Sequence, residues 1–308
     1  MKRIARRALA PFVVLVALGV GLFLRFREKP LSPEVKGTLV FVSDREGVDS
    51  LYLRRLPRGE ERRLTVTSEP VRDPALSPDG RRVAFVTGGR IGLVPLDTGV
   101  VRILTLGVDW RDASPAWRPN GRGLVVSTRK SDGANAELHL IDVESSGVAR
   151  HPLTQPRGLD DTAPVFSPDG SFVVFVREDN LFRVGLADGR TSRLTGGFKR
   201  SRCPHFLPSG RLLCLWTEGK RYGIDVLDAD GRHRETLSEG SVYYRSLVPS
   251  PEGRFLAATF TFDLRFRPTE ALKPHQTEEV HLLDARGSFL RGLERSWRYA
   301  SHSPDWSR

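Results

Sequence analysis

The sequence is poor in cysteine. Two Cys in 308 residues exclude a disulfide-dense secreted scaffold and a four-Cys zinc site. Histidine is sparse too. His139, His151, His205, His233, His275, His281 and His302 fall on different segments, with no shared ligand motif. No G-x-S-x-G elbow is present to expose a nucleophilic serine. Asp44, Glu46 and Asp49 do not follow the spacing of an EF-hand loop, and a solvated hairpin accounts for them. What the chain has instead is turn chemistry. Gly (29) and Pro (21) favour many short strands over long helices, and 39% hydrophobic residues suffice for a full core.

The net charge of +11 is unevenly placed. Residues 1–30 carry seven basic residues against Glu28 alone, leaving 41 basic and 36 acidic residues in the remainder. More than half of the excess therefore flanks one apolar segment, and no nucleic-acid partner is expected. That segment, ALAPFVVLVALGVGLFL (8–24), has no charge and no polar face. A helix of this length reaches about 25 Å, and Arg7 and Arg25 can snorkel to cover the rest of a roughly 30 Å hydrocarbon core. A small-x-small cleavage site does not follow it, and no Cys precedes position 203 to take a lipid. The reading is a single membrane anchor at 1–24, a short exposed tether at 25–36, and a main domain over 37–308. The charge bias weakly favours a cytoplasmic amino end. That places the main domain in the periplasm of a bacterial inner-membrane protein. Secretion after signal cleavage is the alternative.

One phrase recurs along the main domain. It reads PALSPDGRRVAFV (74–86), PAWRPNGRGLVVS (115–127) and PVFSPDGSFVVFV (164–176), with weaker copies PHFLPSGRLLCLW (204–216) and LVPSPEGRFLAAT (247–259). ASHSPDW (300–306) reads as a truncated copy, with Ser303 taken as the residue before its turn Pro. Each full copy continues into a second apolar run, and several then reach Leu-Thr, as at Leu104-Thr105, Leu153-Thr154 and Leu194-Thr195. The unit is four short strands joined by tight turns, with Pro fixing φ, Asp bonding locally and Gly accepting positive φ. Units of about 40–45 residues match propeller blades. The first unit, LVFVS–LYLRRL–RRLTV, lacks an SPDG strand, and the carboxyl end supplies one. The predicted fold is an all-β, six-bladed β-propeller closed by a carboxyl-terminal strand and preceded by one transmembrane helix.

SPDG followed by an apolar strand, together with SDREG (43–47), resembles the TolB-like six-bladed propellers with PD40 repeats. The resemblance covers about residues 37–308. It implies the fold, with the SPDG residues as turn formers. TolB proper carries an additional amino-terminal α/β domain, where this chain has the anchor and tether.

In a propeller the innermost strands line a central channel, and the connections entering them form one mouth. Those connections hold Arg72, Trp110, Arg111, Asp112, Asp160, Asp161, Arg202, Tyr243, Tyr244, Arg245, Trp297 and Arg298. Trp, Tyr and Arg are the residues that dominate interface energetics. The expected site is an aromatic and arginine rim with an acidic sector at Asp160 and Asp161, binding an envelope protein or peptide segment. Sealing of blade-to-blade contacts is the alternative use of these aromatics. A longer hairpin, FDLRFRPTEALKPHQTEEV (262–280), is read as a solvated flap or a docking arm. Cys203 falls opposite Cys214 and suits a cross-strand disulfide, with two buried free thiols as the alternative. The expected function is a non-enzymatic, membrane-anchored scaffold with no catalytic residue, metal or cofactor. A polysaccharide-binding module is the alternative, or a metal-dependent lyase, since oligogalacturonate lyases also have propellers with a histidine cluster.

Overall fold

The computed structural model describes residues 31–105, 109–144, 149–155, 158–197, 199–261, 278–293 and 301–307. Those residues form six four-stranded antiparallel sheets, one per blade. Five sheets are built from consecutive strands. Blade 1 takes Gly37–Ser43, Ser50–Leu56 and Glu61–Arg63 from the amino side, and its innermost strand, Ser301–Ser307, comes from the carboxyl end. The expected closure is therefore present. It removes the free edge that an open ring would leave.

The strands read as unbroken apolar runs because both faces of every sheet are covered. In blade 1, Leu39 and Phe41 face the core shared with blade 6, while Val40 and Val42 face the core shared with blade 2. In blade 2, Val83 and Phe85 point back to blade 1, and Ala84 and Val86 point on to blade 3. The period of two that sends polar side chains to water in a one-sided sheet here sends alternate apolar side chains to two neighbours. Six apolar clusters result, one for each junction between blades.

The repeated phrase is explained atom by atom. Gly80 N–H donates to Ser77 O, and Arg82 N–H donates to Ser77 Oγ, which itself donates to Asp79 Oδ1. The Ser77 hydroxyl holds the Asp79 carboxyl below its ordinary pKa range. Ser167, Asp169 and Phe172 repeat the arrangement in blade 4. The Leu-Thr pairs are a second device. Thr65, Thr105, Thr154 and Thr195 each accept, on Oγ1, the amide N–H of Leu51, Ile91, Leu138 or Leu181. Each fixes the end of an outer strand against the strand beside it.

Two sequence expectations change at the ends. The end of the expected tether is partly docked: Leu31 and Val35 are buried between blades 6 and 1, Ser32, Pro33, Glu34 and Lys36 are exposed, and Glu34 pairs with Arg254 at 2.7 Å. SPDW at 303–306 is not a truncated turn. Leu39 pairs with Trp306 and Val42 with His302, so Ser303-Pro304 is the bulge inside the inner strand. Asp73-Pro74 is the matching bulge of blade 2. Trp306 thus corresponds to Leu76 and Trp117 rather than to a turn glycine. The anchor expected at 8–24 lies outside the described residues. Among the described residues, no helix is long and apolar enough to cross a membrane.

Candidate functional site

The inner strands are Ser301–Ser307, Val71–Leu76, Trp110–Trp117, Thr162–Phe166, Arg200–Phe206 and Tyr244–Pro249. All run the same way round the axis. One mouth of the channel is framed where they begin, and the SPDG turns frame the other.

At the first mouth, the structure brings part of the expected rim together at the junction of blades 5 and 6. Arg202 Nη1 donates to the Tyr243 hydroxyl at 2.8 Å, and its guanidinium lies 4.6 Å from the Tyr243 ring centroid. Tyr243 meets Tyr222 edge to face at 5.1 Å. Arg202 Nε is buried with no partner among the described residues. Beside this group, Arg245 is exposed and pairs with Glu278, and exposed Arg200 lies 3.6 Å from Asp179. Tyr244 packs on Phe260 and His281, and burial raises its pKa. Tyr222 carries part of the rim but lies outside the connections that the repeat pattern singles out. Its signal was only its place at the far end of the neighbouring hairpin.

Other expected residues stand apart. Trp110 belongs to blade 3 and packs on its own sheet, edge-on to His139 and near Lys130 and Arg150. Burial, and then Arg150, push the His139 pKa down to about 4. Arg111 is exposed and lies over Gly89. Arg72 is exposed, 3.9 Å from Asp73. Trp297 and Arg298 lie outside the described residues, as do positions 262–277 of the long hairpin.

The acidic sector is smaller than expected. Asp161 turns inward, where Arg177 Nε and Nη2 donate to its two oxygens at 2.6 and 2.8 Å. Asp112 is paired in the same way by Arg150, at 2.7 and 2.8 Å, and also accepts from Thr128. Both carboxylates are buried and satisfied by their own blade, so they fix the rim's shape and are not available to a ligand. Asp160 stays half-exposed. Burial opposes its charge, but the Ala136 amide and Arg129 hold its pKa below the ordinary value.

The channel itself is a cavity of about 620 Å³ that reaches the turn mouth. Its wall carries a repeated bulge. Asp73, Ser114, Ala163 and Cys203 adopt positive φ of 47–50°, and each precedes a proline. Asp73 Oδ2 accepts the Ser114 amide, Asp305 Oδ2 accepts the Leu76 amide, and Trp117 Nε1 donates to Ala75 O at 2.8 Å. These bonds join successive blades around the lumen. The same bulge overturns the disulfide. Cys203 and Pro204 together oppose Cys214, and the bulge turns Cys203 towards the blade 5–6 junction. Its Sγ donates to Arg245 O, while Cys214 packs on the blade 4 side. Both thiols are free. Burial pushes the Cys203 pKa up to about 11 and that of Cys214 higher still. Among the described residues no group of three or more His, Cys, Asp or Glu is placed to hold a metal ion.

Comparison with known proteins agrees with this architecture. The TolB beta propeller domain family matches residues 93–265, more than half of the chain, from within blade 2 into blade 6. A TolB homolog from Chlorobium luteolum is 33% identical over 159 residues, covering 50% of this chain and 35% of that protein. The chain thus spans about a third of the curated relatives it matches first. TolB from Acinetobacter baumannii shares the fold with a TM-score of 0.69 at 19% identity, over 88% of this chain and 66% of that one. An oligogalacturonate lyase in complex with manganese shares it with a TM-score of 0.61 at 15% identity, over 83% and 73% of the two chains. The six blades, their SPDG turns and the family match agree, and this chain belongs to the TolB beta propeller domain family.

Proposed function

We propose that the propeller is a non-catalytic docking scaffold of the cell envelope. It holds a partner protein's segment against the mouth where the inner strands begin. The observation that supports this most directly is the Arg202–Tyr243–Tyr222 group, a set of aromatic faces and guanidinium donors fixed before any partner arrives. Preorganised Tyr and Arg lose little conformational freedom on binding, which is how a small patch contributes affinity. Exposed Arg72, Arg111, Arg200 and Arg245 on the same face suit an acidic segment. Asp160 adds one accessible carboxylate, and Trp110 extends the surface in this reading.

In this reading the chain runs from an anchor at 8–24 to the propeller, where Leu31 and Val35 are buried between blades 6 and 1. Residues 25–30 span at most about 20 Å. The chain leaves the propeller beside Arg254, on the turn face. The turn face then lies near the bilayer, and the rim points into the periplasm.

The test is crosslinked capture from bacterial envelopes with the full chain and a Tyr243→Ala/Arg245→Ala variant. A protein enriched by the wild type and lost with the variant supports the scaffold. Equal enrichment by both removes the rim from the account. The fold shared with a manganese-bearing lyase supplies the competing reading, a glycan module or metal-dependent lyase. Its signature is stoichiometric metal in the purified protein and turnover of an acidic polysaccharide.

A further inference from the structure

Blade 5 leaves a rim cation without a counter-charge. In blades 3 and 4, the residue whose amide bonds to the preceding blade's outer hairpin is an aspartate. Asp112 N–H donates to Gly89 O and Asp161 N–H to Ala136 O, and the two carboxylates then hold Arg150 and Arg177. The equivalent residue of blade 5 is Ser201, whose N–H donates to Asp179 O. The repeat therefore puts a hydroxyl where its neighbours have a carboxylate, and Arg202 is the next residue. Other carboxylates of blades 5 and 6 are engaged elsewhere. Asp225 accepts from Trp216, Thr236 and Lys199, and Glu278 pairs with Arg245.

Arg202 keeps most of its donors. Nη1 donates to the Tyr243 hydroxyl at 2.8 Å, while Nε is buried and neither it nor Nη2 has a partner among the described residues. The Tyr243 hydroxyl accepts that bond, and its own proton goes to no described residue. The guanidinium lies 4.6 Å from the Tyr243 ring centroid. A guanidinium held against a tyrosine, with Nε out of water, has already lost part of its hydration. It gives up little more on meeting an anion, and a carboxylate is the planar partner that its donors fit.

We propose that Arg202 is the specificity-determining residue of the rim, receiving at Nη2 the side-chain carboxylate of a glutamate or aspartate in an extended partner segment, with the Tyr243 hydroxyl as a second donor. The proposal rests on the reading of this mouth as a docking surface, and it adds which side chain the partner must carry and which arginine reads it. The exposed arginines of the face attract an acidic segment without selecting a position in it. Arg200 and Arg245 already stand beside Asp179 and Glu278, so their charges are partly neutralised. Arg202 has no such neighbour among the described residues. The surface beside it is apolar: Val242 is 46% exposed, and Tyr222 meets Tyr243 edge to face. The acid of the segment is therefore flanked by aliphatic side chains. A sugar needs an open aromatic face to stack on, whereas Tyr243 is already engaged by Arg202 and Tyr222.

Fluorescence anisotropy with the full-length chain in detergent tests it. The probe is the peptide Gly-Ala-Leu-Glu-Val-Ala, amidated at its carboxyl end and carrying an uncharged dye at its amino end, with a Gln-for-Glu peptide as comparison. The glutamate peptide is expected to bind, and the glutamine peptide to bind tenfold or more weakly. Arg202→Lys keeps the charge but loses the planar fork, and is expected to weaken the glutamate peptide tenfold or more. Arg190→Lys, at an exposed turn on the opposite face, is expected to leave it unchanged. Circular dichroism and urea midpoints confirm that both variants are folded. Equal affinity for the two peptides overturns the proposal, and so does unchanged affinity in folded Arg202→Lys. Absence of binding by the glutamate peptide overturns it too. Displacement of the peptide by digalacturonate at a tenfold lower concentration than by unlabelled peptide would assign the site to a glycan and also overturn it. The docking reading fails separately. Envelope capture that is lost with Tyr243→Ala/Arg245→Ala but kept by Arg202→Lys leaves the scaffold standing and removes the carboxylate site, whereas capture of nothing removes the scaffold and leaves the peptide titration to judge Arg202.

Discussion

Replacing Asp305 by Asn is expected to stabilise the propeller at high pH and to lose that advantage in acid. Asp305 lies in the carboxyl-terminal strand that closes the ring, and burial raises its pKa to about 6 from an ordinary 3.8. The Leu76 and Trp306 amides pull the other way without overcoming burial. The folded protein therefore binds a proton that the unfolded chain has released between those values. Stability from this group is full below about pH 3.8 and is lost as pH rises through about 6. A shift of about two units corresponds to about 3 kcal/mol of penalty on the ionised form. Asn has no ionised form, but it has one carbonyl oxygen where Asp presents two. Losing one of the two amide bonds costs about 1 kcal/mol. The variant should thus exceed the wild type by about 2 kcal/mol at pH 8, and the gap should vanish near pH 4. Urea unfolding of both proteins at pH 4, 6 and 8 measures it. A difference that stays constant across this range would refute the reasoning, because it would mean that Asp305 titrates alike in the folded and unfolded states.

Three further outcomes follow from the packing. Arg177→Ala leaves Asp161 charged and buried, and should cost about 3–5 kcal/mol, with Asp161→Asn in the same background recovering part of it; urea midpoints of the single and double variants measure the coupling. Thr105→Val strands the Ile91 amide inside blade 2 and should cost about 1–3 kcal/mol, whereas Val100→Thr on the exposed surface should be close to neutral. Alkylation of unfolded protein without reductant should label both Cys203 and Cys214, as read by intact mass, and an unlabelled pair would restore the disulfide.

Much of the fold was legible because propeller blades repeat their turn chemistry. Ser77-Pro78-Asp79-Gly80 and its copies carry the hydrogen bonds that make the turn, so the motif and its structural cause coincide. The Leu-Thr pairs were visible as a pattern, and their role in receiving an amide from the neighbouring strand needed coordinates. SPDW misled for a physical reason. Ser-Pro-Asp is used twice in this fold, once in the turn and once in the inner-strand bulge, where Asp73-Pro74 and Ser114-Pro115 also stand. Pairing register separates the two uses, and composition does not. The bulge is also why Cys203 and Cys214 can oppose each other without bonding, since one extra residue redirects a side chain that simple alternation would have placed.

The candidate site was legible by position more than by role. Counting into each inner strand finds the mouth correctly, and Arg202, Tyr243 and Arg245 do assemble there. The same counting cannot separate Asp160, which stays half-exposed, from Asp161, which turns under the rim to meet Arg177. That distinction depends on an arginine 16 residues away on the neighbouring strand. The channel's lack of basic residues was hidden in the sequence, because its wall draws a few residues from each of six distant segments.

The docking claim is tested most directly by affinity for the partner found in envelope capture. Calorimetric titration would compare the wild type, Tyr243→Ala/Arg245→Ala at the rim, and Asp305→Asn in the channel. The account predicts a loss of tenfold or more for the rim variant and unchanged affinity for the channel variant. Undiminished binding by the folded rim variant would contradict it.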